Sequence, residues 1–252
     1  MTKTNPSFSI TGQKFNVVIL AAGFGTRLRP LTDHLPKALV EVTRGMRAID
    51  HLIKKYQYVA EKIIIAVGYG AELLKNYVLG KYPKLNIVFS REKEEDLKGP
   101  GRSLTFALDY ADSNLPTIIT FCDYLLEDYI NVDSDALCIC EPKEGTYILD
   151  TYRNKVTINN GIIINVIENE EEENPTHGFT GIAIIHHTIL LKSIVYTAAT
   201  LKDPGNVDYT FDIIKPYISK IKTIPFPIHK QYEFGTTNNL IKIKEIFENG
   251  NN

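Results

Sequence analysis

The sequence predicts an α/β fold in which a mainly parallel sheet is covered by helices on both faces. Short apolar runs typical of buried strands alternate with stretches that carry apolar residues at helical spacing. After residue 135 the pattern changes to shorter, β-rich segments. The chain has 252 residues and is 44% apolar, which suffices for one sizeable core, so we expect a single domain over residues 1–252.

The first half, about residues 15–135, alternates strand and helix. The predicted strands are 17–22, 62–69, 86–90 and 117–122, and the predicted helices between them are 46–58, 71–79 and 103–110. Such alternation is typical of parallel strands joined by crossover helices. Ligands of such sheets bind beyond the carboxyl ends of the strands, so we expect the functional site there.

The second half, about residues 136–252, is predicted to form a small β-rich subregion and to end in a helix. Its predicted strands are 136–140, 147–152, 155–158, 161–167 and 223–229, and its predicted helices are 187–200, 211–221 and 237–247. Asn159-Asn160-Gly161 is a strong turn signal, which predicts a hairpin between the strands on either side of it.

A glycine-rich loop, Gly23-Phe24-Gly25-Thr26, directly follows the first predicted strand. Glycine lets the backbone approach an anionic ligand closely, and successive N–H groups of such a loop can point at phosphate oxygens. Arg27, Arg29 and Lys37 add full positive charges nearby. These features predict a nucleoside triphosphate site. The residues expected to bind the nucleotide here are Leu20, Ala21, Ala22, Gly23, Gly25 and Thr26.

Two other nucleotide-binding motifs do not fit the sequence. The chain lacks the GxxxxGK[ST] pattern of a P-loop, and its loop does not match GxGxxG with the acidic residue of a dinucleotide binder. Instead, LAAGFGTRLRPLT followed by PKALVEV closely resembles the signature of the sugar-phosphate nucleotidyltransferases, the nucleotide-sugar pyrophosphorylases. The resemblance implies a Rossmann-like, GT-A-like nucleotidyltransferase fold.

The resemblance also implies an activity. Such an enzyme couples a nucleoside triphosphate to a phosphorylated acceptor, here a sugar 1-phosphate, releases pyrophosphate and forms a nucleotide sugar. By matching GTR and PK, it assigns Arg27 to the β- and γ-phosphates and Lys37 to the attacking and α-phosphates, as catalytic residues. Lys98 to Leu104 resembles the family's second glycine-rich element, which assigns Gly99 and Gly101 to nucleotide binding.

The expected cofactor is Mg²⁺, held by two carboxylates. Asp123 follows a predicted strand where similar enzymes place a metal-binding aspartate, and a turn or N-cap aspartate is the alternative. Glu233, in Tyr232-Glu233-Phe234-Gly235-Thr236, stands where the family's DxGT segment has its aspartate.

The acceptor site matches the family less closely. Glu168 and Gly181 are the nearest matches to acceptor-binding positions, but Asn169 stands where a lysine usually holds the sugar phosphate. One alternative is therefore a cytidylyltransferase acting on a small phospho-alcohol or phosphonate, such as phosphocholine, which Tyr232-Glu233 also favours. Another is a regulatory homologue that binds nucleotide sugars without turnover, against which the intact Arg27, Lys37 and Asp123 argue.

Bulk properties exclude several other functions. The net charge is −2 with basic and acidic residues mixed, so we expect no nucleic acid partner and no membrane partner. No apolar run approaches the roughly 20 residues of a membrane helix, and the polar N-terminus is unlike a signal peptide, so we expect a cytoplasmic location. A homo-oligomer is compatible with the sequence. Cys122, Cys138 and Cys140 are predicted to be buried free thiols.

Overall fold

The computed structural model describes residues 12–91, 99–126, 132–140, 154–168, 177–202, 206–229 and 231–249. Its strands are β1 Phe15–Leu20, β2 Glu41–Thr43, β3 Met46–Arg47, β4 Ala60–Val67, β5 Ile87–Arg91, β6 Thr117–Phe121, β7 Tyr124–Leu126, β8 Ala136–Cys140, β9 Asn154–Asn159, β10 Ile162–Glu168, β11 His177–Ile185, β12 Ile224–Pro227 and β13 Gln231–Glu233. Its helices are α1 Ala48–Tyr56, α2 Ala71–Lys81, α3 Pro100–Leu108, α4 Thr188–Leu201, α5 Lys215–Ile218 and α6 Thr237–Asn249, with a π-helical segment at Tyr209–Ile214.

A large mixed sheet organises the fold, with strand order β10-β9-β11-β6-β1-β4-β5. Off this order, β8 pairs with β11, and β12 pairs with β8. The central strands β6, β1, β4 and β5 are all parallel. Val17, Val18 and Ile19 of β1 are fully buried, because both faces of the sheet are covered. The predicted mainly parallel α/β fold is confirmed.

Strand β11 joins the two halves of the sheet. It runs antiparallel to β6 and also pairs with β8 and β9. The sequence analysis assigned no strand to residues 177–185, where Gly178 and Gly181 interrupt the apolar pattern. The pairing with β8 shifts register between Phe179 and Ala183, and Gly181 has a φ of 84° at this irregularity.

The predicted hairpin is present between β9 and β10, which pair antiparallel. Asn160 and Gly161 have φ values of 49° and 74°, so both residues of the turn are left-handed. This is the backbone of a type I′ turn, whose twist matches that of the flanking strands.

Some predicted boundaries were wrong. The helix predicted over residues 46–58 begins at Ala48, because Met46 and Arg47 form β3 against β2. The helix predicted over residues 211–221 is a π-helical segment followed by the single turn of α5. Pro216 lies where they meet, and it has no N–H to donate to the preceding turn. The strand predicted at residues 147–152 lies outside the described residues.

Apolar side chains pack on both faces of the sheet, and a third, smaller cluster lies beneath the glycine-rich loop. In this third cluster Leu28, which follows the loop, is buried with Phe234 and with Leu240 and Ile243 of α6. The C-terminal segment is therefore packed directly against the base of the loop.

Among the described residues, the helices are all too short or too polar to cross a membrane. The three cysteines are buried free thiols, as predicted.

Candidate active site

The glycine-rich loop is held by hydrogen bonds from three directions. Ala21 N–H donates to Ala66 of β4 and Tyr69 N–H donates to Ala22, so the first residues stay tied to the sheet. Thr32 Oγ1 then donates to the carbonyl oxygen of Gly25 at 2.8 Å. Gly25 has a φ of 66°, and a Cβ there would lie 3.1 Å from Thr32 Cγ2, so the turn requires glycine.

Tyr69 supports the same loop from the carboxyl end of β4. Its hydroxyl shares its one hydrogen between the carbonyl oxygens of Thr32 and Asp33, at 3.0 and 2.6 Å. Its ring centroid lies 5.4 Å from that of Phe24. The supporting roles of Thr32 and Tyr69 were not predicted, because hydrogen bonds to backbone carbonyls leave no signature in residue type. Arg29 forms an ion pair with Asp33 at 3.3 Å, in the segment that follows the loop.

A cavity of about 360 Å³ lies at the carboxyl edge of the sheet, a size typical of small-molecule sites. It brings together most of the predicted nucleotide, catalytic and metal residues. Its lining residues are Leu20, Ala22, Gly23, Phe24, Gly25, Thr26, Arg27, Lys37, Gly99, Pro100, Ser103, Phe121, Cys122, Asp123 and Gly235. Ala21 lies behind this surface, buried against β4.

Lys37 and Asp123 form an ion pair in the cavity wall. The ammonium of Lys37 donates directly to Asp123 Oδ2, and the two side chains are only 13% and 16% exposed. Burial by itself lowers the pKa of Lys37, but the adjacent Asp123 carboxylate outweighs burial and raises that pKa above its usual value. Lys37 is therefore a permanent cation at neutral pH.

Arg27 and Glu233 form a second, looser pair beside the first. Arg27 Nη2 lies 3.5 Å from Glu233 Oε1, and the side chains are 62% and 15% exposed. A Cβ on Gly235 would lie 2.7 Å from Glu233 Oε1 and 2.9 Å from Arg27 Nη2. Because Gly235 has no side chain, it leaves room for this ion pair. This role of Gly235 was not predicted from the sequence.

The backbone brings Asp123 and Glu233 together from distant parts of the sequence. Strands β7 and β13 pair antiparallel with Glu233 opposite Tyr124, and Phe234 N–H donates to the carbonyl oxygen of Asp123 at 3.2 Å. In the described part of the chain, no group of three or more His, Cys, Asp or Glu side chains could hold a metal. Two carboxylates nevertheless fit Mg²⁺ bound with a nucleotide, because phosphate and water oxygens supply the other ligands.

The second glycine-rich element contributes to the same cavity as the loop. Gly99, with a φ of 121°, precedes α3 and lines the cavity together with Pro100 and Ser103. Gly101 is buried instead, and a Cβ there would lie 2.2 Å from the carbonyl oxygen of Val207. Gly101 thus allows α3 to approach the backbone of residues 207–208, and its predicted contact with the nucleotide stays a prediction.

The two predicted acceptor residues lie in different places. A Cβ on Gly181 would lie 2.8 Å from the ring of Phe121, which lines the cavity, and Tyr209 donates to the Gly181 carbonyl oxygen at 3.0 Å. Glu168 is exposed at the end of β10, paired with Asn154 of β9, and the structure does not place it in the cavity wall. Gly181 therefore adjoins the site through Phe121.

Cys122 lines the cavity beside Asp123 but is poorly suited to act as a nucleophile. Burial, and then the negative charge of Asp123, raise the pKa of its thiol to about 12. Because the thiolate is the reactive form, the thiol is inert at neutral pH.

The comparison with protein families matches residues 17–131, a little under half of the chain, to the MobA-like NTP transferase domain. Residues 17–131 are thus similar to this NTP transferase domain. The matched range contains the glycine-rich loop, Arg27, Lys37 and Asp123, and it confirms the nucleotidyltransferase resemblance.

Among curated proteins, the chain is similar in part to the UTP–glucose-1-phosphate uridylyltransferase AglF of Haloferax volcanii. The two are 36% identical over 98 residues, which are 38% of this chain and 39% of that protein. The chain spans less than half the length of the curated relatives it matches.

Solved structures resemble the whole described fold. The CTP:phosphocholine cytidylyltransferase LicC from Streptococcus pneumoniae has a TM-score of 0.75 at 21% identity, covering 92% of this chain and 99% of that one. A UDP-glucose pyrophosphorylase complexed with UDP-glucose has a TM-score of 0.74 at 16% identity, covering 94% and 100%. At these identities the likeness shows the fold alone, and it extends beyond the NTP transferase match into the second half.

Proposed function

We propose that this chain is a nucleotidyltransferase that couples a nucleoside triphosphate to a sugar 1-phosphate and releases pyrophosphate. The observation that carries the proposal is the cavity in which the glycine-rich loop, Arg27, Lys37 and Asp123 meet. The family match over residues 17–131 and the similarity to a uridylyltransferase support the same reaction.

The proposed reaction is a displacement at the α-phosphorus of the triphosphate. An oxygen of the acceptor phosphate attacks the α-phosphorus, the bond from the α-phosphorus to its bridging oxygen breaks, and that electron pair leaves with pyrophosphate. The acceptor phosphate is already an anion near neutral pH, so the reaction needs charge neutralisation and alignment rather than a general base.

Two cations are suitably placed for this neutralisation. Arg27 is largely exposed at the cavity wall, and its planar guanidinium can bind the β- and γ-phosphates through two parallel hydrogen bonds. Lys37 is a compact charge deeper in the wall, beside Asp123, where it can contact the α-phosphate and the attacking oxygen. The backbone of the glycine-rich loop adds fixed N–H dipoles.

Mg²⁺ is the proposed cofactor, with Asp123 and Glu233 as its protein ligands. When bound, it would neutralise phosphate charge and stabilise the leaving pyrophosphate. Apart from the ion, the carboxylates also fix the positions of Lys37 and Arg27, with which they pair.

A panel assay tests the proposal. Purified protein is given Mg²⁺, each of five nucleoside triphosphates and a set of sugar 1-phosphates, and pyrophosphate release is measured. We expect release with at least one combination and none after chelation of the metal. Nucleotide binding with no release from any combination would contradict the catalytic proposal and favour the regulatory homologue.

The second candidate is cytidylyl transfer to a small phospho-alcohol or phosphonate. It is favoured by Tyr232-Glu233 in the proposed metal-binding segment and by Asn169 in place of the usual acceptor lysine. The same panel distinguishes it: release with CTP and phosphocholine, and with no sugar 1-phosphate, would replace the first candidate by the second.

We also propose that the protein acts in the cytoplasm, where nucleoside triphosphates and sugar phosphates are made and consumed. Cell fractionation with an antibody to the chain tests this, and recovery outside the cytoplasmic fraction would contradict it.

A further inference from the structure

Tyr209 is a buried side chain beside the cavity, and the proposed reaction does not use it. It is 3% exposed and begins the π-helical segment Tyr209–Ile214, a kind of helix that is frequent at functional sites. Its hydroxyl donates to the carbonyl oxygen of Gly181 at 3.0 Å. Its ring lies at 82° to the ring of Phe121, with centroids 5.4 Å apart. Phe121 lines the cavity, so Tyr209 contacts the wall from behind.

We propose that Tyr209 is a positioning residue of the candidate active site. It fixes Phe121 and Gly181, on the side where the acceptor phosphate is expected, relative to the helix that is expected to hold the nucleotide. Tyr209 acts through Phe121, because it does not itself line the cavity. The inference rests on the proposed function, which supplies the two substrates.

The contact at Gly181 depends on an irregularity in β11. The pairing of β11 with β8 shifts register between Phe179 and Ala183, and Gly181 there has a φ of 84°. A residue at such an irregularity leaves the regular strand ladder, so its backbone groups need other partners. The Tyr209 hydroxyl is such a partner for the Gly181 carbonyl oxygen. Burial raises the pKa of Tyr209 above its usual value, so the hydroxyl keeps its proton at neutral pH.

The ring of Phe121 is held between Gly181 and Tyr209. A Cβ on Gly181 would lie 2.8 Å from Phe121 Cε2, so the ring lies directly against the glycine backbone. Tyr209 packs on the same ring and itself stacks on Phe179, with planes at 16° and centroids 6.3 Å apart. Phe121 ends β6, two residues before Asp123. A shift of this ring would therefore change the cavity close to the proposed reacting groups.

The same short segment also contacts the helix on the predicted nucleotide side. Residues 207–208 directly precede Tyr209 and pack against α3. A Cβ on Gly101 of α3 would lie 2.2 Å from the carbonyl oxygen of Val207. Helix α3 also carries Ser103, which lines the cavity. One stretch of backbone thus connects α3 to the wall that Tyr209 supports.

Hydrogen bonds hold this stretch of backbone in one conformation. Asp208 is the N-cap of the π-helical segment, and its Oδ1 accepts from the N–H groups of Thr210 and Phe211 at 2.8 and 2.7 Å. The N–H of Asp208 donates to Asp212 Oδ2 at 2.8 Å. A substitution at Tyr209 therefore removes contacts with the cavity wall without releasing the segment itself.

Steady-state kinetics of two variants test the proposal, with the best substrate pair from the panel. Tyr209→Phe keeps the ring but loses the hydrogen bond, so we expect KM for the acceptor to rise about 3- to 10-fold. KM for the nucleoside triphosphate should stay within about twofold of the wild-type value, because α3 keeps its contact with residue 207. Tyr209→Leu also removes the ring contacts, so it should raise KM for the acceptor further and lower kcat about 10- to 100-fold.

The difference between the two substrates separates positioning from a merely structural role. A protein that is only less stable has a smaller active fraction, which lowers the apparent kcat and leaves both KM values unchanged. Tyr196→Phe is the matched control, because the Tyr196 hydroxyl donates to Asp109 at 2.6 Å on the surface, outside the cavity wall. We expect wild-type kinetics from this control. Circular dichroism and thermal melts check that each variant is folded.

A second measurement needs no turnover. The phenylalanines are replaced by 4-fluorophenylalanine, and the ¹⁹F resonance of residue 121 is identified by its absence from Phe121→Leu. In Tyr209→Leu we expect this resonance to move towards its position in the unfolded protein, because the ring loses a packed neighbour. In Tyr196→Leu it should stay where it is in the wild type.

The outcomes separate this inference from the proposed function. An unchanged KM for the acceptor in both Tyr209 variants, or an equal rise of KM for both substrates, would overturn the inference. An unmoved residue-121 resonance in Tyr209→Leu would also overturn it. If the wild type releases no pyrophosphate with any substrate pair, the proposed function is refuted, and the ¹⁹F measurement still decides whether Tyr209 fixes Phe121.

Discussion

Lys37 is the residue whose environment differs most from that of an ordinary surface lysine. It is buried against Asp123, and its ammonium lies 5.9 Å from the centroid of the Phe234 ring. A positive charge that is already held in place needs little reorganisation when negative charge shifts among the phosphates in the transition state. Such preorganised charges make the largest electrostatic contribution to catalysis.

Lys37→Ala should therefore lower turnover by about 10²–10³ while the fold is kept. The measurement is the turnover number with the best substrate pair from the panel. Lys62→Ala is the matched control, because Lys62 lies at the opposite end of β4 and donates to the carbonyl oxygen of Tyr110. Wild-type turnover in Lys37→Ala would remove this residue from the mechanism.

Gly235 tests the geometry of the second ion pair. In Gly235→Ala the new Cβ would lie within 3 Å of both Glu233 Oε1 and Arg27 Nη2, so the ends of both side chains must shift and their ion pair is disturbed. We expect weaker binding of the nucleoside triphosphate in the presence of Mg²⁺ and lower turnover, with an unchanged circular dichroism spectrum.

The control is Gly80→Ala in α2, where a Cβ would meet nothing within 4 Å. That change should leave binding intact and raise the free energy of unfolding by up to about 1 kcal/mol, because alanine favours helix. If Gly235→Ala bound and turned over like Gly80→Ala, the contacts at Gly235 would not matter for function.

At the scale of elements, a buried carboxylate joins α1 to α2. Asp50 of α1 is fully buried, and it accepts hydrogen bonds from Tyr77, Lys81 and Tyr82 at the end of α2, each at 2.8 Å. It also accepts a bond from the backbone N–H of Arg47 at 2.9 Å. Removing the Asp50 carboxylate would leave these donors without their acceptor. Buried donors that lose their hydrogen-bond partner destabilise a fold strongly.

Asp50→Ala should lower the free energy of unfolding by about 2–4 kcal/mol, measured by urea denaturation at pH 7. Lys81→Met, which removes one half-exposed donor, should cost less. Equal losses from the two variants would mean that the carboxylate is not the centre of the network.

The same carboxylate makes stability depend on pH. Burial alone raises the pKa of Asp50, but the hydrogen bonds from Lys81, from the Arg47 backbone and from the two tyrosines lower it below its usual value. The stabilisation is therefore complete above the unfolded-state pKa of about 4, and it is lost as pH falls through the lower folded-state pKa. In Asp50→Asn this part of the acid dependence should disappear from denaturation curves measured between about pH 5 and 2.

Strands with a strong local sequence pattern were predicted correctly, and strands without one were not. Strands β1, β4 and β6 were predicted because continuous apolar runs are typical of parallel strands buried on both faces. The short strand pairs β2–β3 and β7–β13 were not predicted, because strands of two or three residues are too short to show a hydrophobic periodicity. The type I′ turn at Asn160-Gly161 was predicted from residue type alone.

At the candidate site, the sequence motifs predicted which residues meet but not how they pair. Arg27, Lys37 and Asp123 were placed in one site by the family resemblance, and the structure puts all three on one cavity. That each cation pairs with a carboxylate from a distant segment depends on tertiary packing. The contact of Gly101 with Val207 is likewise invisible in the sequence.

At the scale of the whole molecule, the C-terminal segment packs against the part of the chain that follows the glycine-rich loop. Residues 231–249 pack Phe234 and α6 against Leu28 beneath the glycine-rich loop. They also bring Gly235 to the cavity wall and Glu233 within 3.5 Å of Arg27. The proposed site thus combines the phosphate loop of the first half with the last strand of the chain. This arrangement supports the proposed nucleotidyl transfer.

The most direct test uses a nucleoside triphosphate labelled with ³²P, in one experiment at the α-phosphate and in another at the γ-phosphate. The measurement identifies the product that carries each label. With Mg²⁺ and the matching acceptor, we predict that the α-label appears in a product joined to the acceptor and that the γ-label appears in pyrophosphate. Lys37→Ala should show both products only at a rate about 10²–10³ lower. Release of the γ-label as orthophosphate, with the α-label remaining in a nucleoside diphosphate, would contradict the account, because the chain would then cleave the β–γ bond instead.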